Sequence, residues 1–357
     1  TPQNPLTSDG FFFDHDLDGR LDLAVGYWYL HPAFASFYGD NPQLFGGDGA
    51  GGFRDDRTEA AGLLLPTGDA AVHSGTQARP LFGFVMCDVN DDGRADIVGA
   101  AYGRMINELF LADGDRFTEV GAMSAVGSDD RRDLMDDESY RCFAGLPTRY
   151  TCPVRGWIPG QSDQPWQLGG NTFSFACGDF DNDLDLDLYE SNIRHPDVGS
   201  ASDPSEVLVN DGTGRFTRPG RDTMGLVPPI DLTRFDEGGQ HDAAFDFDAD
   251  GWLDLYLAGS PYAHNRGWLF HHRRDAPLGF EWIGEAAGFH HACALGTALA
   301  DFDHDGDLDL VVGTYGCNDP ASVPPGESPD WAPPENQPVR FYENVSTDAN
   351  WIAIRLV

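Results

Sequence analysis

Residues 301–313 read DFDHDGDLDLVVG: Asp301, Asp303 and Asp305 stand at alternate places, Gly306 follows, and Asp309 leads into the apolar run Leu310-Val311-Val312. Counting Asp301 as position 1, the same spacing of positions 1, 3, 5 and 9 recurs at Asp14-Asp16-Asp18-Asp22, Asp88-Asn90-Asp92-Asp96, Asp179-Asp181-Asp183-Asp187 and Asp246-Asp248-Asp250-Asp254. Nineteen of these twenty positions are Asp and one is Asn. Short carboxylates at alternate places converge on one point without ordering long side chains. A hard cation such as Ca2+, which takes about six to eight oxygen ligands, explains that choice. The residue at position 7, Arg20, Arg94, Asp185, Trp252 or Asp307, completes each expected ligand set. One such loop would pass for an ordinary Asp- and Gly-rich turn; five with one spacing read as about five Ca2+ sites.

Position 6 is Gly19, Gly93, Gly251 and Gly306 in four copies, where a sharp turn calls for positive φ, and the third copy departs from this with Leu184. A helical EF-hand is excluded by position 12, which needs Glu and is instead Val25, Gly99, Leu257 and Val312 in four loops, with Glu190 the lone match. Positions 8 and 10 are apolar in every copy, as in Leu186 and Leu188, so they share one face of a strand while the Asp at position 9 turns back toward the metal.

The first aspartates are spaced 74, 91, 67 and 55 residues apart. Periods above about 40 residues with several strands per unit mark a β-propeller. Each unit continues into a hairpin with Asp-Gly and a following Phe (Asp48-Gly49 to Phe53, Asp113-Gly114 to Phe117, Asp211-Gly212 to Phe216). An AAGL-like connector then follows (Ala60 to Leu63, Met224 to Leu226, Ala286 to Phe289). The fold class is therefore all-β: a single propeller over 1–357 with about four strands per blade, five recognisable repeats and five to seven blades. Residues 128–170 read as a Cys-containing insertion, 317–338 as a Pro-rich loop, and 340–357 as a strand that closes the ring or pairs with a second copy.

At 41% hydrophobic the chain has enough apolar residues for a large core, while a net charge of −37 makes nucleic acid and anionic membranes poor partners. Bound Ca2+ offsets part of that self-repulsion, so chelators are expected to destabilise the fold. No apolar span of membrane-crossing length is present, and the start at Thr1 reads as a processed form or an excised piece. Six cysteines suggest an oxidising compartment. Cys142 and Cys152 are the best disulfide candidates, Cys293 and Cys317 could pair, and Cys87 and Cys177 read as free buried thiols.

The motifs ALADFDHDGDLDLVVG (298–313) and VLVNDGTGRFT (207–217) resemble the FG-GAP/VCBS repeat family, best known from the integrin α-chain propeller, and within it the cartilage acidic protein group with its ASPIC/UnbV segment. The end of the chain, ENVSTDANWIAIRLV, looks like the entry into that segment, and residues 142–157 are similar to an insert of bacterial relatives. The resemblance implies an extracellular, calcium-stabilised scaffold for recognition, adhesion or self-assembly, with a protein or glycan ligand and no enzyme activity. It leaves the ligand open, because a propeller hosts many functions.

Two other readings stay on the table. His73, His241, His290 and His291 precede acidic loops and would form a metal or proton-transfer site at the channel mouth if they converged. Their unequal offsets argue for separate turn residues. Trp28, Tyr29, Trp157, Trp166, Trp252, Trp268, Trp282 and Trp331 are enough for a carbohydrate platform, or else pack between blades. Asn344-Val345-Ser346 is the sole glycosylation sequon, and no GxSxG, HExxH or P-loop motif occurs.

Overall fold

Each acidic loop joins two antiparallel strands, and in all five the second strand begins on the aspartate of position 9. The structure is a computed structural model. It describes residues 7–28, 41–65, 78–129, 131, 133–148, 169–195, 199–229, 237–259, 266–274, 278–284, 286–289, 291, 294–314 and 339–345.

Blade one is β1 (Thr7–Phe13), β2 (Asp22–Tyr27), β3 (Gln43–Gly47) and β4 (Phe53–Asp56). Blade two is β5 (Leu81–Cys87), β6 (Asp96–Ala101), β7 (Glu108–Asp113) and β8 (Arg116–Glu119), followed by α1 (Gly121–Ser124). A short helix α2 (Glu138–Phe143) precedes blade three, which is β9 (Asn171–Gly178), β10 (Asp187–Arg194), β11 (Glu206–Asn210) and β12 (Phe216–Thr217). After α3 (Arg221–Met224), β13 (Glu237–Gly238) pairs with the far end of β10. Blade four is β14 (Ala243–Phe245), β15 (Asp254–Leu257), β16 (Trp268–His272) and β17 (Phe280–Trp282). Blade five contributes β18 (Ala294–Ala300), β19 (Asp309–Thr314) and β20 (Arg340–Tyr342) among the described residues. Every blade is an antiparallel meander. The range of five to seven blades thus resolves to five, one per acidic loop.

Strand periodicity explains how the blades hold together. Successive side chains point to opposite faces, so Leu188 packs toward blade two while Tyr189 packs toward blade four. Likewise Ile97 joins blade one and Val98 joins blade three, and Leu255 joins blade three and Tyr256 joins blade five. Each of the four largest core clusters straddles two neighbouring blades. A blade on its own would leave both faces wet. The connectors are part of this seal: at Gly225, whose φ is +77°, a Cβ would lie 2.3 Å from the Phe280 carbonyl of the next blade, so only glycine fits.

Cys87 and Cys177, expected as free thiols, form a disulfide between β5 and β9, with Cα atoms 6.6 Å apart. They stand at like places on adjacent innermost strands, a proximity created by the ring and not by the 90 residues between them. Cys142 is also disulfide-bonded, and its partner lies outside the described residues. Cys152, Cys293 and Cys317 lie outside them, as do residues 317–338 and the terminal stretch 346–357. Of the 340–357 strand, Arg340–Tyr342 is described and pairs with β19, Phe341 opposite Val311. In the 128–170 insertion, the Asp137 side chain caps α2 by accepting from the Tyr140 N–H at 2.7 Å, and pairs with buried Arg104 at 3.2 Å. No helix among the described residues is long and apolar enough to cross a membrane.

Candidate metal centres in the acidic loops

The five loops are nearly superimposable in their hydrogen bonds. The position 1 carboxylate accepts from the N–H groups of positions 5 and 6; Asp179, for instance, takes those of Asp183 at 3.1 Å and Leu184 at 3.0 Å. Position 5 accepts from the N–H of position 7, as Asp18 does from Arg20, Asp92 from Arg94, Asp183 from Asp185, Asp250 from Trp252 and Asp305 from Asp307. The chain is thereby curled around an oxygen-lined hollow.

Position 6 is left-handed in every copy, with φ of +82° at Gly19 and +80° at Leu184. The third loop therefore keeps the common geometry despite lacking glycine, at a cost of roughly 1–2 kcal/mol. Position 4 is left-handed too: Leu17, Asp91, Asn182, Ala249 and His304 all have φ between 54° and 65°. Five non-glycine residues held there signal a constraint on the loop beyond ordinary turn preference. Residue type signals it poorly, since only Asn, Asp and His favour this region and Leu17 and Ala249 do not.

The position 9 aspartates, Asp22, Asp96, Asp187, Asp254 and Asp309, are all at most 1% exposed. In each, one oxygen accepts from the N–H of position 2 and the other from the third strand of the blade or, at Asp309, from Asn344 just past that strand. Asp187 does so from Phe180 at 3.0 Å and Asn210 at 2.8 Å, and Asp254 from Phe247 at 3.1 Å and His272 at 2.7 Å. Position 9 thus fastens loop to sheet as well as facing the hollow. Burial pushes Asp96 up to about 6, and Asp187 and Asp254 up to about 7, against those donors. A cation in the hollow would reverse this direction.

Carboxylate oxygens converge within 4.8 Å of one another in four loops: Asp14, Asp16 and Asp18; Asp179, Asp181 and Asp187; Asp246, Asp248 and Asp254; Asp301, Asp303 and Asp309. The second loop has Asn90 at position 3. One oxygen of Asn90, Asp181 and Asp248 is buried with no hydrogen-bond partner, and all three occupy position 3. A buried acceptor without a donor costs about 1–3 kcal/mol, so its recurrence at one loop position fits a hard cation. Basic side chains approach two loops. Arg57 donates to Asp16 at 2.7 Å, and in loop four His271 lies 3.2 Å from Asp248 while Arg274 meets Asp250. Loop three has no such neighbour among the described residues.

Of the four histidines, the two that are described have separate neighbours. His241 lies against the Phe82 ring, His291 bonds to Thr314 at 2.8 Å, and His73 and His290 lie outside the described residues. Trp268 and Trp282 pack together in the seam between blades three and four, and Trp252 stacks on His272 at 4.5 Å. Trp28 packs edge-on to Phe82 and Tyr102. Tyr29, Trp157, Trp166 and Trp331 lie outside the described residues.

Five antiparallel blades, each with an acidic loop between its first two strands, define a β-propeller of repeated-loop type. Residues 246–312, from the fourth loop to β19, match the FG-GAP-like repeat. No curated protein matches it. Among solved structures it is similar to an Agrocybe aegerita lectin described as recognising non-reducing terminal N-acetylglucosamine, with 14% identity and a TM-score of 0.40 over 87% of this chain and 60% of that one. It is also similar to the V. cholerae biofilm matrix protein Bap1, with 11% identity and a TM-score of 0.34 over 87% of this chain and 35% of that one. The chain therefore spans 60% or less of the length of either relative.

Proposed function

We propose that this protein is a secreted, calcium-stabilised scaffold that acts by binding rather than by catalysis, in extracellular recognition, adhesion or self-assembly. The observation that carries the reading is the recurrent position 3 oxygen, buried and unpartnered in loops two, three and four, with carboxylates converging on it in loops three and four. Asp14, Asp88, Asp179, Asp246 and Asp301 with their partners at positions 3, 5, 7 and 9 would hold the ions, each loop supplying oxygen donors alone. Extracellular modules of this kind operate at roughly millimolar calcium, which suits shallow, solvent-facing loops. The Cys87–Cys177 disulfide supports an oxidising compartment. The likeness of 207–217 and 298–313 to the cartilage acidic protein group belongs to the same reading.

Calorimetric titration of chelator-stripped protein with Ca2+ tests it. About five sites are expected, with one lost in D179N and Mg2+ competing poorly, because Mg2+ demands a tighter octahedral cage of about 2.0–2.1 Å. Absence of calcium-dependent heat would remove the proposal.

A further inference from the structure

The main-chain N–H that each position 9 aspartate receives from the third strand, or from just past it, belongs to Gly47, Ala112, Asn210, His272 or Asn344. The residue before each donor therefore holds the same register in every blade, and it is Gly46, Leu111, Val209, His271 and Glu343 in turn. Only blade four places a nitrogen ligand there.

His271 reaches the acidic loop of its own blade. Its Nε2 lies 3.2 Å from Asp248 and 3.6 Å from Asp250, the carboxylates of positions 3 and 5. The three side chains bring one ligand atom each to within 4.8 Å of one another, and Asp248 also belongs to the oxygen group of Asp246, Asp248 and Asp254. The imidazole thus joins the edge of the same hollow. The Phe247 ring of position 2 stands edge-on to it, with centroids 5.7 Å apart, and limits its rotation. His304, in loop five, joins no such group among the described residues.

The distances would permit a hydrogen bond from histidine to aspartate, yet none is made. Nε2 of His271 is buried with no hydrogen-bond partner, and so is Oδ1 of Asp248. An imidazolium present to neutralise these carboxylates would donate its Nε2–H to one of them. A shared ion accounts for the spacing instead, because donors about 2.0–2.2 Å from one metal at angles of roughly 95–110° stand about 3.0–3.6 Å apart. Arg274 also meets Asp250, but its side chain is 57% exposed, and an ion pair so open to water is weak enough to give way to coordination.

We propose that loop four holds a transition-metal ion of the Zn2+ class in preference to Ca2+, with His271, Asp248 and Asp250 as its ligands. Imidazole nitrogen suits Zn2+ and its neighbours in the first transition row, whereas Ca2+ takes oxygen ligands. Three protein ligands leave the fourth place of a tetrahedral ion to water. This inference refines the calcium reading at one loop and rests on it only in taking that loop as a cation site.

The test is titration of the full chain with Zn2+ in millimolar Ca2+, read by calorimetry and native mass, and with Co2+ as a coloured stand-in whose visible absorption reports nitrogen ligation. The variants are H271A, H271Q and, as a control in loop three, D179N, with a melting curve in Ca2+ to verify that each is folded. The expected result is uptake of a single Zn2+ per chain at micromolar concentration, weakened at least about tenfold in H271A and H271Q and unchanged in D179N, with visible Co2+ bands that both His271 variants lose. No Zn2+ uptake at micromolar concentration in millimolar Ca2+, or unchanged uptake in the folded His271 variants, would overturn the proposal. Calcium heat measured without Zn2+ is a separate readout, so failure of the calcium reading and failure of this one are distinguishable.

Discussion

The side-chain amide of Asn210 donates to the main-chain carbonyl of Val89 at 2.7 Å, reaching from the third strand of blade three into the acidic loop of blade two. It also donates to Leu186 in its own loop at 2.9 Å, while its N–H is held by Asp187. Asn344 repeats the arrangement one pair of blades further on, donating to Phe247 of loop four at 2.6 Å with its N–H held by Asp309. The loops are therefore joined to one another through these amides, and an ion bound in one loop would stiffen a strap to the next blade.

Removing that strap should be costly. N210A leaves the carbonyl of Val89 without this donor in a buried setting, and a loss of about 1–3 kcal/mol is expected from urea unfolding at saturating calcium. A change below about 0.3 kcal/mol would show that the bond does not join the blades.

Substitutions at positions 3 and 9 of the same loop should differ in their dependence on calcium. D187A strips two main-chain donors of their acceptor and should destabilise by roughly 2–4 kcal/mol whether or not calcium is present. Asp181 makes no such anchor, and its carboxyl is pushed up by burial and by Asp183 beside it. D181N should therefore lower the melting temperature in calcium yet leave it equal or higher in EDTA, where one repelling charge has gone. Parallel losses for D181N in both conditions would assign position 3 a structural role.

The disulfide gives a further handle. Cys87 and Cys177 close a loop across 90 residues, for which loop entropy suggests up to about 4–5 kcal/mol. C87S/C177S should unfold at lower urea with calcium held constant, and an unchanged midpoint would mean that the two blades are joined sufficiently without it.

Glu108 sets a pH dependence that can be isolated. It is fully buried beside Arg79, 3.0 Å away, and burial pushes it up to about 7. Between its ordinary 4.5 and about 7 the folded state holds a proton that the unfolded state has released. Stability therefore falls as pH rises through that window and levels off above it, by up to about 3 kcal/mol for this group. Urea midpoints at pH 5 to 8 in saturating calcium should show the decline, and E108Q should flatten it; a steeper slope in E108Q would reverse the sign assigned here.

The loops were legible in the sequence because their spacing is local: the alternation of Asp14, Asp16 and Asp18 needs no tertiary contact to be seen. Blade number followed once each loop was found to serve one blade. What the sequence hid is non-local. Asn210 reads as part of an Asn-Asp-Gly turn, and nothing nearby in sequence shows that its amide reaches Val89, 121 residues away. The pairing of Cys87 with Cys177 is of the same kind, and so is the double anchoring of Asp187, which looks identical to a ligand until the third strand is placed beside it.

The central claim is that divalent ions in these loops hold the blades in register, and thermal unfolding after chelation tests it most directly. Stripping the protein with EDTA should lower its melting temperature by well over ten degrees, with stepwise recovery on adding Ca2+ and native masses showing up to about five bound ions. A melting temperature indifferent to EDTA, together with a native mass free of alkaline-earth ions at millimolar Ca2+, would contradict it.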